Sequence, residues 1–206
     1  MRNLEIESKL DANTPRAFAR AAQFLKQLNP ALTPKTLHIQ DVYLDHFAGD
    51  LAREKIALRV RNTDGKWEAT FKTRTEIKNG KATRQEATLP LPHVHTLAQA
   101  LTYLEKKKTW KNISLVGLKA RFKIINKRKI YLLDKGTATL EIALDDVTIC
   151  ASGRQLKMKE IEIELKRGSA KILDRVVQLF KQQTQLQNAK ISKVKTAEMF
   201  LNLFSA

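Results

Sequence analysis

The sequence predicts an α+β fold, an eight-stranded antiparallel β-barrel with helices packed outside it. Three observations carry this expectation. Polar and apolar residues alternate with period 2 in eight or nine runs, tight turn signals separate neighbouring runs, and four other segments repeat their apolar residues with helical spacing. A chain of 206 residues can bury a substantial core. With no linker rich in Pro, Gly or Ser, one domain over residues 1–206 is expected.

The first run covers Leu4 to Asp11. A helix then opens at Thr14-Pro15, a hydroxyl N-cap followed by proline at the first helical position, and continues through Phe18, Ala21, Ala22, Leu25 and Leu28. Runs at Leu37 to His46, Ile56 to Thr63, Lys66 to Thr75 and Ala82 to Leu91 come next, with Asp64-Gly65 and Asn79-Gly80 as hairpin turns. A second helix from about Thr96 carries Leu97, Ala100, Leu101 and Leu104. The remaining runs are Leu118 to Asn126, Lys129 to Leu133, Thr137 to Ile149 and Gln155 to Lys166, turning at Lys135-Gly136 and Ser152-Gly153. The third helix follows Gly168-Ser169 with Ile172, Leu173, Val176, Val177 and Phe180. The fourth starts near Ser192 with Ala197, Phe200, Leu201 and Phe204. Consecutive hairpins under amphipathic helices are satisfied by a sheet that curls into a barrel.

The unusual feature is charge in the middle of strands. Because side chains alternate between faces, Glu5, Glu7 and Lys9 share one face while Leu4, Ile6 and Ser8 take the other. Arg59 and Arg61 alternate with Leu58 and Val60, Lys72 and Arg74 flank Thr73, Arg84 and Glu86 share a face, and Arg121 and Lys123 flank Phe122. Late in the chain Glu160, Glu162 and Glu164 alternate with Ile161, Ile163 and Leu165, and Glu141, Ala143 and Asp145 make a weaker version. One such strand is ordinary, since antiparallel sheets expose a polar face to water. Segregation by sign is not: glutamates at period 2 repel one another along a face unless a cation compensates them. A divalent metal suits hard carboxylate oxygens. Clustered arginines and lysines suit a polyphosphate.

Composition narrows the partner without naming it. The net charge of +17, from 38 Lys and Arg against 21 Asp and Glu, calls for something anionic: nucleic acid, an anionic membrane surface, polyphosphate or a nucleotide. No stretch approaches 18 consecutive apolar residues, and Met1 to Glu7 lacks the apolar run of a signal peptide, so no membrane association and a cytoplasmic location are expected. Cys150 is the one cysteine, which excludes an intrachain disulfide. His93 and His95 follow Pro90 and Pro92 in an expected loop with no third ligand nearby, and Trp67 and Trp110 read as packing residues.

Leu4-Glu5-Ile6-Glu7-Ser8-Lys9 resembles the Glu-x-Glu-x-Lys signature that opens CYTH domains, the triphosphate tunnel metalloenzymes. Val42-Tyr43-Leu44-Asp45, Ala57-Leu58-Arg59-Val60-Arg61, Ala69-Thr70-Phe71-Lys72 and Arg84-Gln85-Glu86 resemble successive motifs of that family, in order. The run Glu160 to Gly168 and the pair Ser192-Lys193 complete the series. The resemblance implies an eight-stranded tunnel in which Glu5, Glu7, Glu162 and Glu164 bind Mg²⁺ or Mn²⁺, and in which Glu5, Glu7 and Lys9 form the catalytic group, one carboxylate orienting or deprotonating water. It also implies that Lys9, Arg59, Arg61, Lys72, Arg84, Arg121 and Lys193 grip the phosphate chain.

Within the family the run Glu-Ile-Glu-Leu-Lys-Arg-Gly, a helix and then Ser-Lys is most similar to bacterial inorganic triphosphatases. Those continue Ser-Lys-x-x-Arg-Gly, whereas this chain has Ser192-Lys193-Val194-Lys195-Thr196-Ala197. The implied activity is metal-dependent hydrolysis of tripolyphosphate. Hydrolysis of a nucleoside or thiamine triphosphate, or an adenylate cyclase of class IV type, stays open on the same fold. A noncatalytic binder of polyphosphate or RNA is the rival of another class, which carboxylates facing phosphate make the less expected. A homodimer is left open.

Overall fold

The computed structural model describes residues 3–72, 76–78, 81–134 and 136–204, with residues 3–5, 15, 76–78 and 81–85 described by backbone alone. In chain order the elements are β1 (Asn3–Asp11), α1 (Pro15–Leu28), β2 (Lys35–Asp45), α2 (Asp50–Arg53), β3 (Ala57–Thr63), β4 (Lys66–Lys72), β5 (Glu76–Lys78) and β6 (Lys81–Pro90). They continue with α3 (Leu97–Lys107), β7 (Thr109–Trp110), β8 (Ile113–Ser114), β9 (Lys119–Asp134), β10 (Thr139–Ala151) and β11 (Arg154–Arg167). The series ends with α4 (Ala170–Thr184), β12 (Gln187–Asn188) and α5 (Lys193–Asn202). The sequence periods place the four main helices correctly, and the runs expected at Leu118 to Asn126 and Lys129 to Leu133 form one long strand, β9. Short α2, the β7–β8 hairpin and β12 are too brief to produce a period. Arg74, Asn79-Gly80 and Lys135 lie outside the described residues.

The main sheet is ordered β12-β1-β11-β10-β9-β2-β3-β4-β6-β5, and β6 also pairs with β1. Eight antiparallel strands therefore form a closed ring, β1-β11-β10-β9-β2-β3-β4-β6 and back to β1. In the closing pair Glu5 stands opposite Arg84. On the other side of β1, Lys9 stands opposite Glu162.

Helices cover the apolar outside of this ring. Phe24 and Leu25 of α1 and Leu173, Val177 and Phe180 of α4 pack on Leu10, Ile142, Leu144, Ile161 and Ile163, while Ala100 and Leu104 of α3 pack with Val42, Leu58, Val60 and Phe71. Hydroxyl N-caps begin these helices: Thr14 accepts from Ala17 N, Thr96 from Gln99 N and Ser169 from Lys171 N. Helix α5 is different. Its Ala197 and Leu201 pack against Tyr43, Phe122, Ile124, Val147 and Ile149, residues that share a face with Asp41, Asn126 and Asp145. That is the inner face of the ring, so α5 seals one end of the barrel. No helix among the described residues is long and apolar enough to cross a membrane.

Candidate functional site

The ring brings the charged strands together. From β1 come Glu7 and Lys9, from β11 Glu160 and Glu162, from β10 Asp145, from β9 Arg128, and from the first turn of α5 Lys193; Glu7, Asp145, Glu160 and Glu162 are all buried. Lys193 Nζ lies 2.6 Å from Asp145, 2.8 Å from Glu162 and 3.0 Å from Glu160. Lys9 Nζ contacts Glu162, lies 3.4 Å from Glu7 and 3.8 Å from Glu160. Arg128 forks onto Asp145 at 2.6 and 2.7 Å and also contacts Glu162.

Ser192 positions Lys193. Its hydroxyl caps α5 by accepting from Lys195 N, which fixes Lys193 as the first helical residue, facing the acidic wall. A cation at a helix N-terminus opposes the helix dipole, and here the carboxylates offset that penalty.

Burial and charge act against each other on every group. Burial disfavours the Lys193 and Lys9 ammonium charges, yet the surrounding carboxylates hold both above the ordinary lysine value. Burial likewise disfavours ionised Glu162, but Lys193, Lys9 and Arg128 keep it well below the usual carboxylate range. Glu160 goes the other way: burial and the charge of Glu162 outweigh the two lysines and push its carboxyl up.

The opposite wall is cationic. Arg59 and Arg61 on β3 project inward, as do Thr70 and Lys72 on β4, and Asp41 on β2 faces both arginines. Arg61 Nε and Nη2 donate to Asp41 at 2.6 and 2.7 Å, and Arg59 Nη1 lies 3.6 Å from the same carboxylate. Despite burial, Arg59 and Arg61 hold Asp41 below the usual range. Lys72 pairs with Glu86 at 2.6 Å. A cavity of about 360 Å³ opens beside Arg61 and Arg128, lined also by Lys66, Glu68 and Glu141 and by the apolar Leu37, Ile39, Ile130 and Trp67; Arg128 joins it to the acidic cluster. That volume is in the range of small-ligand sites.

Of the residues selected from sequence, Glu7, Lys9, Glu162 and Lys193 meet in one cluster, and Arg59 and Arg61 stand together on the facing strand. The side chains of Glu5 and Arg84 lie outside the described residues; their backbones pair across the ring closure. Glu164 sits at the rim, bonded to Lys166 at 2.8 Å. Arg121 is exposed at the register shift between β2 and β9, beside the Gly49 turn, and makes no ion pair among the described residues. Arg128 holds the inward position on that strand. Asp145, Glu160, Arg128 and Asp41 were not selected from sequence, although Glu160 and Asp145 carry the alternation that pointed to Glu162.

Asp145, Glu160 and Glu162 each offer a carboxylate oxygen, all within 4.8 Å of one another. Glu160 Oε2 is buried and accepts no hydrogen bond, and Oε1 meets the Lys193 ammonium off-angle. Hard oxygen donors with an unsatisfied buried carboxylate among them fit a divalent cation such as Mg²⁺ or Mn²⁺.

The CYTH domain family model matches residues 3–197. The chain belongs to the CYTH family. This CYTH chain is 28% identical over 191 residues to the inorganic triphosphatase of Haemophilus influenzae, covering 93% of the chain and 53% of that protein. It thus spans about half the length of the curated relative. Among solved structures it superposes on HpAC1 of Hippeastrum, a protein described as having a dominant triphosphatase activity, with a TM-score of 0.71, 21% identity and coverage of 95% and 96% of the two chains. Protein PH1819 of Pyrococcus horikoshii gives 0.63, 21% identity and coverage of 97% and 99%. The RNA triphosphatase domain of the mimivirus mRNA capping enzyme gives 0.58 at 12% identity, with 88% of each chain covered. These superpositions establish the CYTH tunnel fold for the chain.

Proposed function

We propose that this CYTH domain hydrolyses the terminal phosphoanhydride bond of inorganic triphosphate in the barrel, with a divalent cation held by Asp145, Glu160 and Glu162. The observation that carries the reading is one closed ring that turns a buried acidic cluster on β1, β10 and β11 and the arginines of β3 to its inner face, with Arg128 both bonded to that cluster and lining, together with Arg61, the adjoining cavity. Similarity to an inorganic triphosphatase supports the choice of substrate.

Bound there, the cation would supply charge neutralisation at the transferring phosphoryl group. The chain's own residues do the rest. Arg59 and Arg61 take phosphate oxygens from the β3 side, and Lys9, Lys193 and Arg128 turn from carboxylate partners to phosphate oxygens on the other. Glu7, beside Lys9, orients the attacking water, and the proton lost from that water passes to a wall carboxylate. Phosphoryl transfer needs mainly such positioning and charge compensation. Of the metal set implied by the family resemblance, Glu162 belongs to this trio, Glu7 borders it and Glu164 lies two residues beyond Glu162 on the same face, while the side chain of Glu5 lies outside the described residues.

Phosphate release is expected from tripolyphosphate with Mg²⁺ or Mn²⁺ and is expected to stop with EDTA, while ATP and thiamine triphosphate react more slowly. Equal inactivity toward all three substrates would leave a noncatalytic anion binder. Faster release from ATP would reassign the substrate.

Arg59→Ala is expected to raise KM for tripolyphosphate by about 10- to 100-fold, the size of one charge-assisted hydrogen-bonded contact, with a smaller change in kcat. Added salt should imitate part of this loss by screening the wall. A KM that ignores both the substitution and salt would remove Arg59 from the phosphate grip.

A further inference from the structure

We infer that Asp41, assisted by Thr70, is a positioning residue: it anchors the guanidinium groups of Arg61, which lines the cavity, and of Arg59 beside it on the inner face, and its negative charge thereby strengthens anion binding. The inference rests on the triphosphatase reading for the identity of the anion.

The β2–β3 register sets Asp41 directly opposite Arg61, on the inner face. Asp41 is only 5% exposed. Its Oδ1 accepts from Arg61 Nε at 2.6 Å and its Oδ2 from Nη2 at 2.7 Å, a two-point attachment that fixes the plane of the guanidinium as well as its position. A guanidinium carries five N–H donors, so Arg61 keeps the three that point away from Asp41. Arg59 is held from two sides, by the same carboxylate at 3.6 Å and by Nη2 donating to Thr70 Oγ1 at 3.1 Å. Thr70 is fully buried and stands opposite Arg59 in the β3–β4 register. Long flexible side chains lose binding strength when they must be ordered by the ligand, and these two are ordered beforehand.

This role has a sign opposite to the simple electrostatic one. An aspartate among phosphate-binding residues repels phosphate, so on charge alone Asp41→Asn should tighten anion binding. If Asp41 acts by anchoring, the same substitution weakens binding although the cavity becomes more positive.

The test is calorimetric titration of tripolyphosphate, with EDTA present so that neither turnover nor metal enters. Asp41→Asn is expected to weaken binding by about 10-fold or more, an effect that shrinks in an Arg61→Ala background because the pair then has no one to anchor. Binding as tight as or tighter than the parent chain overturns the inference. Thr70→Val keeps the charge and the volume, and it serves if Asp41→Asn does not fold: several-fold weaker binding supports the anchoring of Arg59, and unchanged binding removes Thr70 from it. A readout independent of ligand is the Nε–H resonance of Arg61 in NMR spectra, slowly exchanging in the parent and lost in Asp41→Asn. Persistence of that resonance in Asp41→Asn overturns the anchoring. If the parent shows it yet binds no tripolyphosphate, the triphosphatase reading falls and the anchoring of Arg61 stands.

Discussion

Glu162→Gln is expected to cut tripolyphosphate turnover by about 100- to 1,000-fold, the size of losing one preorganised charge contact to a transition state. Glu162 is the hub of the acidic wall: Lys9, Arg128 and Lys193 all converge on it, and it belongs to the carboxylate trio suited to a cation. Glutamine preserves the shape and removes the charge. Three buried cations then lose a shared partner, so the variant should also melt at a lower temperature. Glu164→Gln is the matched control. Two residues further along the same face, Glu164 is half-buried at the rim, where it engages Lys166, and its loss should change turnover by less than about threefold, as for an exposed ion pair. Phosphate release from both variants over a Mg²⁺ titration separates the two positions. Equal losses would return Glu164 to the centre and displace the trio.

Gly168→Ala is expected to produce the largest loss of stability of any single methyl addition at a glycine among the described residues. Gly168 joins β11 to α4 with φ of +105°, a conformation that side chains other than hydrogen seldom adopt. A Cβ there would lie 2.5 Å from the carbonyl oxygen of Thr137 and 2.6 and 2.7 Å from Cβ and Cα of Ala138. Those are backbone and short side-chain atoms leading into β10, with Ala138 fully buried, and they have no flexible end to swing aside. Backbone strain and overpacking together should cost about 3 kcal/mol or more. At about 2–4 °C per kcal/mol for a chain of this size, the melting temperature should drop by about 6–12 °C. Gly117→Ala tests the assignment, because Gly117 also has positive φ, +75°, yet nothing lies within 4 Å of the position its Cβ would take. It should lose only about 1–2 kcal/mol. Equal melting shifts in the two variants would show that the crowding at Gly168 contributes nothing.

The ring of strands was legible because hairpin turns and period-2 runs are local signals, and so were the faces of β1, β3 and β11. The inner face of β9 was not. Reading apolar positions as the outside placed Phe122 and Ile124 outward and Arg121 and Lys123 inward, but α5 packs against the inner wall at that end, so there the apolar side is the inside. The register is unbroken from Phe122 to Ile130, so Arg128 shares the face of Phe122 and Ile124 and is the inward cation. Among Glu160, Glu162 and Glu164 the sequence offers no ranking. Burial makes the distinction, since α5 and its Lys193 reach the first two and leave the third at the rim. Asp145 was weakened as a signal by Ala143, and Asp41 by its place among uncharged neighbours on β2. Each acquires meaning only from residues far along the chain.

The acidic wall is assembled from remote stretches, with Lys9 and Glu162 separated by 153 positions. Neither a growing chain that has made only β1 nor a proteolytic fragment that has lost it holds the complete ion-pair cluster, in which Lys9 of β1 meets Glu162 of β11. Pairing of Lys9 with Glu162 is therefore a readout of finished topology: it reports that the first strand has been stitched between its two partners, and it should vanish as one event when that seam opens.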